Sequence, residues 1–500
     1  MPQKIDTHLH HARLLRAVAQ RLADRIVPVL QSPESVEDMN FARMVLDYLA
    51  ADLDVSSVLL RDLREPYRQA IAAALGTFAD AQIVAPHRES LQAIERQDGL
   101  AAQRELAALR DLAGRVIRDL SDAQRDVGTA SAAVIRELGR LDFQWLTLYD
   151  EARQARVANL GGDAAGGAPT AGGDGSLTPE SVTDYLRGAF PDSPAILATE
   201  VSVVPGGKSK RTVAITVANT AELPAKLILR QDLVLKYAVR SVINEVEPLK
   251  RLRALGLPVP SPLYTETGVT GVGGPFYLME RLSGAPIGDF YGPSRACPES
   301  VAEIARAFAR LHSLDPAEVG LEVTGADPRE LVRARIEDYW KTWRENTTRG
   351  SALIDYAYAW ARQVIDKPYE GRPVIVHGDA GGFNWLVDGD RLSAILDWEF
   401  MHVGDPAEDL GVIRPFAEAA MPWEAFMRLY REAGGPDVDE ERIALADLLQ
   451  WLKGTTLVAM SARNYVEGAT QDYMKGMNSF AGLRKIEMKI AAALQRQIGP

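Results

Sequence analysis

One cysteine among 500 residues, Cys297, has nothing within the chain to pair with. That rules out an internal disulfide framework and cysteine-built zinc centres, and it fits a reducing compartment, the cytoplasm. A lone thiol of this kind is expected to pack as a small apolar side chain. No apolar run approaches the roughly 18 residues of a membrane span. No secretion signal is expected either, because Asp6, His8, His10 and His11 stand where its apolar core would be. Positive charge is the minority sign: 56 Lys and Arg against 68 Asp and Glu leave a net −12. Nucleic acid and anionic membranes are therefore poor partners, and any phosphate site has to be a local basic pocket. What is present is ordinary: 47% hydrophobic and 25% charged residues, enough to bury cores in roughly two to four domains.

The first 160 residues repeat apolar positions at helical spacing, over Leu14–Leu30, Phe41–Leu49, Tyr67–Phe78, Leu91–Leu109 and Ala132–Leu148. Leu, Ala, Arg and Glu dominate and strand formers are scarce, so an all-helical domain is expected over 1–160. Three roles fit it equally: pairing with a second copy into a homodimer, through the Arg- and Glu-rich segment 89–125; capping a substrate pocket; or recruiting a partner enzyme. Asp6-Thr7-His8-Leu9-His10 matches the DxHxH metal signature of amidohydrolases. That chemistry needs later histidines from barrel strands, and this region offers only His87, so no metal site is expected here. Residues 161–176, GGDAAGGAPTAGGDGS, have almost no side chain to bury and read as a flexible linker.

Beyond the linker, Thr178 and Pro179 read as the N-cap and first position of a helix. Next, VSVVPGGKSKRTVAITVAN sets two apolar runs about Gly206-Gly207-Lys208-Ser209. A Walker A loop would need glycine where Ser202 stands and a helix where a strand pattern follows. Strand, glycine turn and strand remain, which suits either a plain hairpin or a phosphate-covering loop. Lys226 to Arg230 form a strand with both cations on one face. A helical stretch, Val242–Leu255, carries Glu245 and Glu247 before Pro258, Pro260 and Pro262 end it. Pro275–Gly284 is an apolar strand running into a hinge, and Pro298–Leu314 is a helix bearing His312. Helices are expected at 423–433, 440–468 and 479–497, walling a pocket.

Residues 374–400, VIVHGDAGGFNWLVDGDRLSAILDWEF, organise the rest. A short strand, Val374–Val376, leads into His377-Gly378-Asp379. Two apolar arms, Trp385–Val387 and Leu392–Leu396, flank Asp388-Gly389-Asp390, a hairpin turn signal. Asn384 precedes the first arm and Asp397 follows the second, so an antiparallel pair brings their backbones to about 5 Å. Asp379 arrives beside them from the preceding loop. A carboxamide and two carboxylates suit Mg²⁺, a hard cation that takes few protein ligands.

The pattern HGDxxxxN followed by ILDWE resembles the catalytic centre of the aminoglycoside phosphotransferase and choline kinase superfamily. The longer run to HVGDPAEDLG is most similar to the phosphotransferase domains associated with acyl-CoA dehydrogenases. The resemblance implies an α+β, protein-kinase-like bilobal fold after the all-α front domain. A small β-rich N-lobe is expected over 177–281 and a large helical C-lobe over 282–500. It implies Asp379 as catalytic base, Asn384 and Asp397 as Mg²⁺ ligands, and ATP as co-substrate. Arg230 becomes the cation that holds the phosphates, with Lys226 as the alternative, and Glu245 its partner unless Glu245 is one more solvated helix acid. Gly206, Gly207 and Ser209 would cover the phosphates, and Met279 to Arg281 would meet the adenine. His377, Asp405 and Asp409 would brace the loop, and His312 would pack and hydrogen-bond. The acceptor is expected to be a hydroxyl on a small molecule, a hydroxyacyl or other catabolic compound. Antibiotic phosphorylation and a catalytically silent nucleotide-binding module are the alternatives.

Overall fold

The computed structural model describes residues 63–77, 80–96, 102–123, 177–204, 210–232, 240–289, 292–293, 296–323, 327–347, 350–367, 371–469 and 482–498, with 15, 17–29 and a few separate positions between 39 and 144. Asp6 to His10, the linker at 161–176, the glycine turn at 205–209 and much of the expected front helices lie outside these residues.

The chain forms two compact units. One comprises Met1–Pro169, Asp338–Val364 and Trp451–Pro500, and the other Thr170–Glu337 and Ile365–Gln450. In the first unit the stretch Leu91–Leu109 is not one helix: Ala81–Glu95 ends at Arg96, and a second helix runs Ala102–Ala123. Asp98-Gly99 lies between them in the sequence, a pair that propagates a helix poorly. The second of these helices packs on Ala352–Val364. Gly114 permits it, since a Cβ there would lie 2.6 Å from Asp355 Oδ2. Asp355 is buried and accepts hydrogen bonds from Arg118 Nη1 at 3.1 Å and Trp343 Nε1 at 3.3 Å. The front helices therefore bury their apolar stripes together with a segment from much later in the chain.

The second unit opens with α1 (Pro179–Ala189), whose Thr178 forms a capping box with Ser181. A five-stranded antiparallel sheet follows: β1 (Leu197–Val203), β2 (Lys210–Ala218), β3 (Lys226–Asp232), β4 (Pro262–Glu266) and β5 (Phe276–Glu280), in the order β1-β2-β3-β5-β4. Helix α2 (Ile243–Ala254) lies between β3 and β4 in the chain. Alternation along β3 sends Leu227 and Leu229 into the apolar core and Arg230 and Asp232 to the other face. This is the small β-rich lobe.

At its exit, Gly284 has φ +112°, and a Cβ there would lie 2.7 Å from the Val387 backbone. The chain crosses so closely because β6 (Ala285–Pro286) pairs with β8 (Trp385–Asp388). The helical lobe holds α3 (Pro298–Ser313), β7 (Val374–Val376), β9 (Arg391–Ile395), β10 (His402–Gly404), α4 (Ala407–Glu418) and α5 (Trp423–Glu432). Strands β8 and β9 make the expected hairpin, turning through Gly389 at φ +62°. Phe308, Leu311, Trp385, Ile395, Phe416 and Tyr430 share one buried cluster beneath it. Each such side chain stabilises the lobe by about 1.5–3 kcal/mol. The last helices run Trp423–Glu432, Glu440–Val466 and Leu483–Ile498, within a few residues of their expected limits. Among the described residues no helix is long and apolar enough to cross a membrane.

Candidate active site

The hairpin register builds the site. Trp385 pairs with Ile395, and the Leu396 N–H donates to the Asn384 carbonyl at 2.8 Å, so Asn384 and Asp397 emerge side by side. The Asn384 side chain turns to the preceding loop, its Nδ2 donating to Asp379 Oδ2 at 3.0 Å and to the Asp379 carbonyl at 2.9 Å. That leaves the Asn384 carboxamide oxygen as a donor atom for a cation. Asp397 has φ +64°, one of two non-glycine residues with positive φ among the described residues. Asp and Asn tolerate that conformation best, and the turn aims the carboxylate back across the sheet.

There it meets Arg230, whose Nη2 donates to Asp397 Oδ1 at 2.5 Å. Arg230 Nε lies 3.3 Å from Glu245 Oε2 on α2, and the Tyr277 hydroxyl donates to the same carboxylate at 3.1 Å. Burial works against the Arg230 charge, but Asp397 and Glu245 outweigh it and raise the pKa. Burial pushes Glu245 up to about 7; Arg230 opposes the shift, while Asp397 and Glu399 add to it. Glu399 brings a third carboxylate: oxygens of Glu245, Asp397 and Glu399 lie within 4.8 Å of one another. These donors are all oxygen, the set a hard divalent ion requires.

Gly378, at φ +80°, lets the loop pass the Phe400 carbonyl, which a Cβ would approach to 2.6 Å. Asp409 on α4 accepts the backbone N–H of His377 at 2.8 Å and of Gly378 at 2.9 Å. His312 Nε2 lies 3.1 Å from the same carboxylate, and its Nδ1 is 2.6 Å from the Tyr430 hydroxyl. Burial alone would raise the Asp409 pKa, but the bonds and charge of His312 and His377 pull it below the usual carboxylate range. His377 accepts the Asp379 N–H on Nδ1 at 3.1 Å and donates from Nε2 to the Leu396 carbonyl at 2.9 Å. Those partners assign the neutral imidazole, and burial lowers its pKa in the same sense. Asp405 accepts Ala407 N–H at 2.8 Å and two bonds from Arg442, at 2.7 and 3.1 Å. It therefore braces the start of α4, whereas Asp409 braces the loop.

Below them, Glu408 sits between Arg335 Nε at 3.0 Å and His402 Nε2 at 3.2 Å, and accepts Asp405 N–H at 3.0 Å. Burial favours the neutral acid, but Arg335 and His402 win and bring Glu408 down to about 2 from 4.5. A depressed carboxylate contributes stability above its unfolded pKa and loses it as pH falls through the folded value. Glu408 should thus supply on the order of 3 kcal/mol that disappears between pH 4.5 and 2. Acid unfolding of Glu408→Gln should show a shallower loss over that window, and an unchanged profile would remove this assignment.

Of the other sequence-based candidates, Lys226 lies on the exposed end of β3, away from this cluster. Arg281 N–H donates to the Lys226 carbonyl at 3.1 Å, closing the sheet ladder, and Met279 is half-buried at the register of Ile228. Gly206, Gly207 and Ser209 are outside the described residues. Glu247 is exposed beside Lys250, while Glu245 is 3% exposed. Sequence reasoning passed over Glu399, Tyr277, Asp232 and Lys210. For Glu399 the signal was its place two residues after Asp397, and for Tyr277 the strand alternation beside Arg230.

The chain matches the model of the phosphotransferase enzyme family over residues 200–452. Viomycin phosphotransferase of Streptomyces vinaceus is 35% identical over 173 residues, covering 32% of this chain and 56% of that protein. Acyl-CoA dehydrogenase family member 11 of Rattus norvegicus is 29% identical over 179 residues, covering 35% of this chain and 23% of that one. The chain thus spans about a quarter to just over half the length of these relatives. A putative aminoglycoside phosphotransferase of Ralstonia eutropha is a solved structural neighbour at TM-score 0.46 and 19% identity, covering 63% of this chain and 98% of that one.

Proposed function

The chain belongs to the phosphotransferase enzyme family, and from that premise we propose that it transfers the γ-phosphoryl group of ATP to a hydroxyl of a small molecule. The observation that carries the proposal is the union of Asp379, Asn384 and Asp397 through one hydrogen-bonded loop and hairpin end, with Arg230 at 2.5 Å from Asp397. Asp379 orients the acceptor hydroxyl and takes the hydrogen bond from its proton. Arg230 turns its planar fork to the phosphate oxygens, held in place by Glu245. Asn384 and Asp397 are the residues that would hold Mg²⁺, which when bound supplies charge neutralisation at the phosphoryl oxygens. Gly206, Gly207 and Ser209 cover the phosphates with backbone N–H groups. Met279 and Arg281 flank the adenine, and the Arg281 contact falls to its carbonyl because its N–H is engaged. Positioning and charge stabilisation do most of the work, because the transition state is loose.

For the acceptor we favour a hydroxyacyl or other catabolic hydroxyl compound, supported by similarity to acyl-CoA dehydrogenase family members. The relative named viomycin phosphotransferase supports the second reading, an antibiotic acceptor. The single cysteine supports a cytoplasmic setting, and the partition at 1–160, 161–176, 177–281 and 282–500 belongs to the same proposal, except that 338–364 and 451–500 group with the helical front, through which a homodimer would form. Pooled hydroxylated metabolites and antibiotics, incubated with ATP and Mg²⁺ and read by mass spectrometry, should yield a phosphorylated product from the first pool. Product only from the second pool selects the antibiotic reading. A nucleotide-induced melting shift without transfer to either pool leaves a binding module and sinks the enzyme.

A further inference from the structure

Lys210 opens β2, follows Gly206-Gly207-Lys208-Ser209 in the sequence, and is 4% exposed. An ammonium so buried requires anionic partners. Its Nζ donates to Asp232 Oδ1 at 3.0 Å and to the Arg240 carbonyl, and stands 3.8 Å from Glu399 Oε2. Asp232 also accepts the Ser241 hydroxyl at 2.5 Å and the Val242 N–H at 2.9 Å, tying it to the start of α2. One cation therefore joins the beginning of the helix that carries Glu245 to the turn that carries Asp397 and Glu399. Four carboxylates, Asp232, Glu245, Asp397 and Glu399, are thus linked with two cations, Arg230 and Lys210.

Resting on the phosphotransferase reading above, we propose that Lys210 is a positioning residue for that site. It clamps Glu399 to the start of α2 and offsets its charge, holding down the divalent-ion affinity of the acid cluster and holding up its affinity for anionic nucleotide. The two affinities respond with opposite sign because they bring opposite charge into one poorly screened space. A residue that served the fold alone would weaken both together.

The test uses the full chain, with Mn²⁺ binding read by electron paramagnetic resonance without nucleotide, and ADP binding read by calorimetry without metal. Lys210→Met should bind Mn²⁺ about three- to ten-fold tighter and ADP about three- to ten-fold weaker, and Lys210→Arg should restore both. Glu399→Gln, which removes one negative charge from the cluster while Lys210 keeps its bond to Asp232, should shift both affinities the other way, and it carries the test if Lys210→Met does not fold. Shifts of the same sign for the two ligands, or no shift, overturn the proposal while leaving the phosphotransferase reading intact. Wild-type protein that binds neither Mn²⁺ nor ADP overturns both.

Discussion

Asp379→Asn should lower turnover by roughly 10²–10⁴-fold while ADP affinity and melting temperature stay near those of the wild type. The substitution is close to isosteric, and a rotated Asn carboxamide still accepts the Asn384 Nδ2 bond that Asp379 Oδ2 accepts at 3.0 Å. The loop's other supports, Asp409 on the His377 and Gly378 amides and His377 on the Asp379 amide, involve no part of the Asp379 carboxylate. What is lost is a charged acceptor for the hydroxyl proton. The defect should therefore appear in kcat, with the KM for ATP little changed. Turnover equal to wild type would show that Asp379 is not the base.

Asp397→Asn is the second large effect. Asparagine tolerates the left-handed backbone at φ +64°, so the turn should survive a change that removes only the charge. Arg230 keeps at best a neutral acceptor in place of its charged partner at 2.5 Å, with Glu245 as its remaining paired carboxylate. The donor set loses one of its carboxylates, so Mn²⁺ binding should fall sharply. We expect kcat/KM to drop by about 10³-fold, or ~4 kcal/mol of transition-state stabilisation. Circular dichroism should remain that of the wild type. A variant with undiminished Mn²⁺ affinity would move the metal role from Asp397 to the neighbouring carboxylates.

The union of Asp379, Asn384 and Asp397 was legible because it rests on local rules. Asp388-Gly389 turns the chain in two residues, pairing is antiparallel, and the ends of the two arms must then meet. The Thr178 cap, the proline-ended α2 and the late helices follow from equally short-range chemistry. Other choices had no local answer. Lys226 and Arg230 share a strand face by period two, and only the placement of α2 and of the Asp397 turn singles out Arg230. Glu245 and Glu247 are both acids of one helix, and only packing against Tyr277 buries the first.

By itself the sequence determined the hairpin, its turn and the late helices, and through them the meeting of Asp379, Asn384 and Asp397, because these depend on backbone preferences spanning a few residues. Tertiary structure alone decided that Lys210 meets Glu399, that Asp409 holds the His377 loop, and that residues 352–364 pack with helices from the front of the chain. Such contacts join residues far apart in the chain, where periodicity carries no information. What selects them is burial: a charge removed from water has to find its counter-charge wherever the fold brings one within reach.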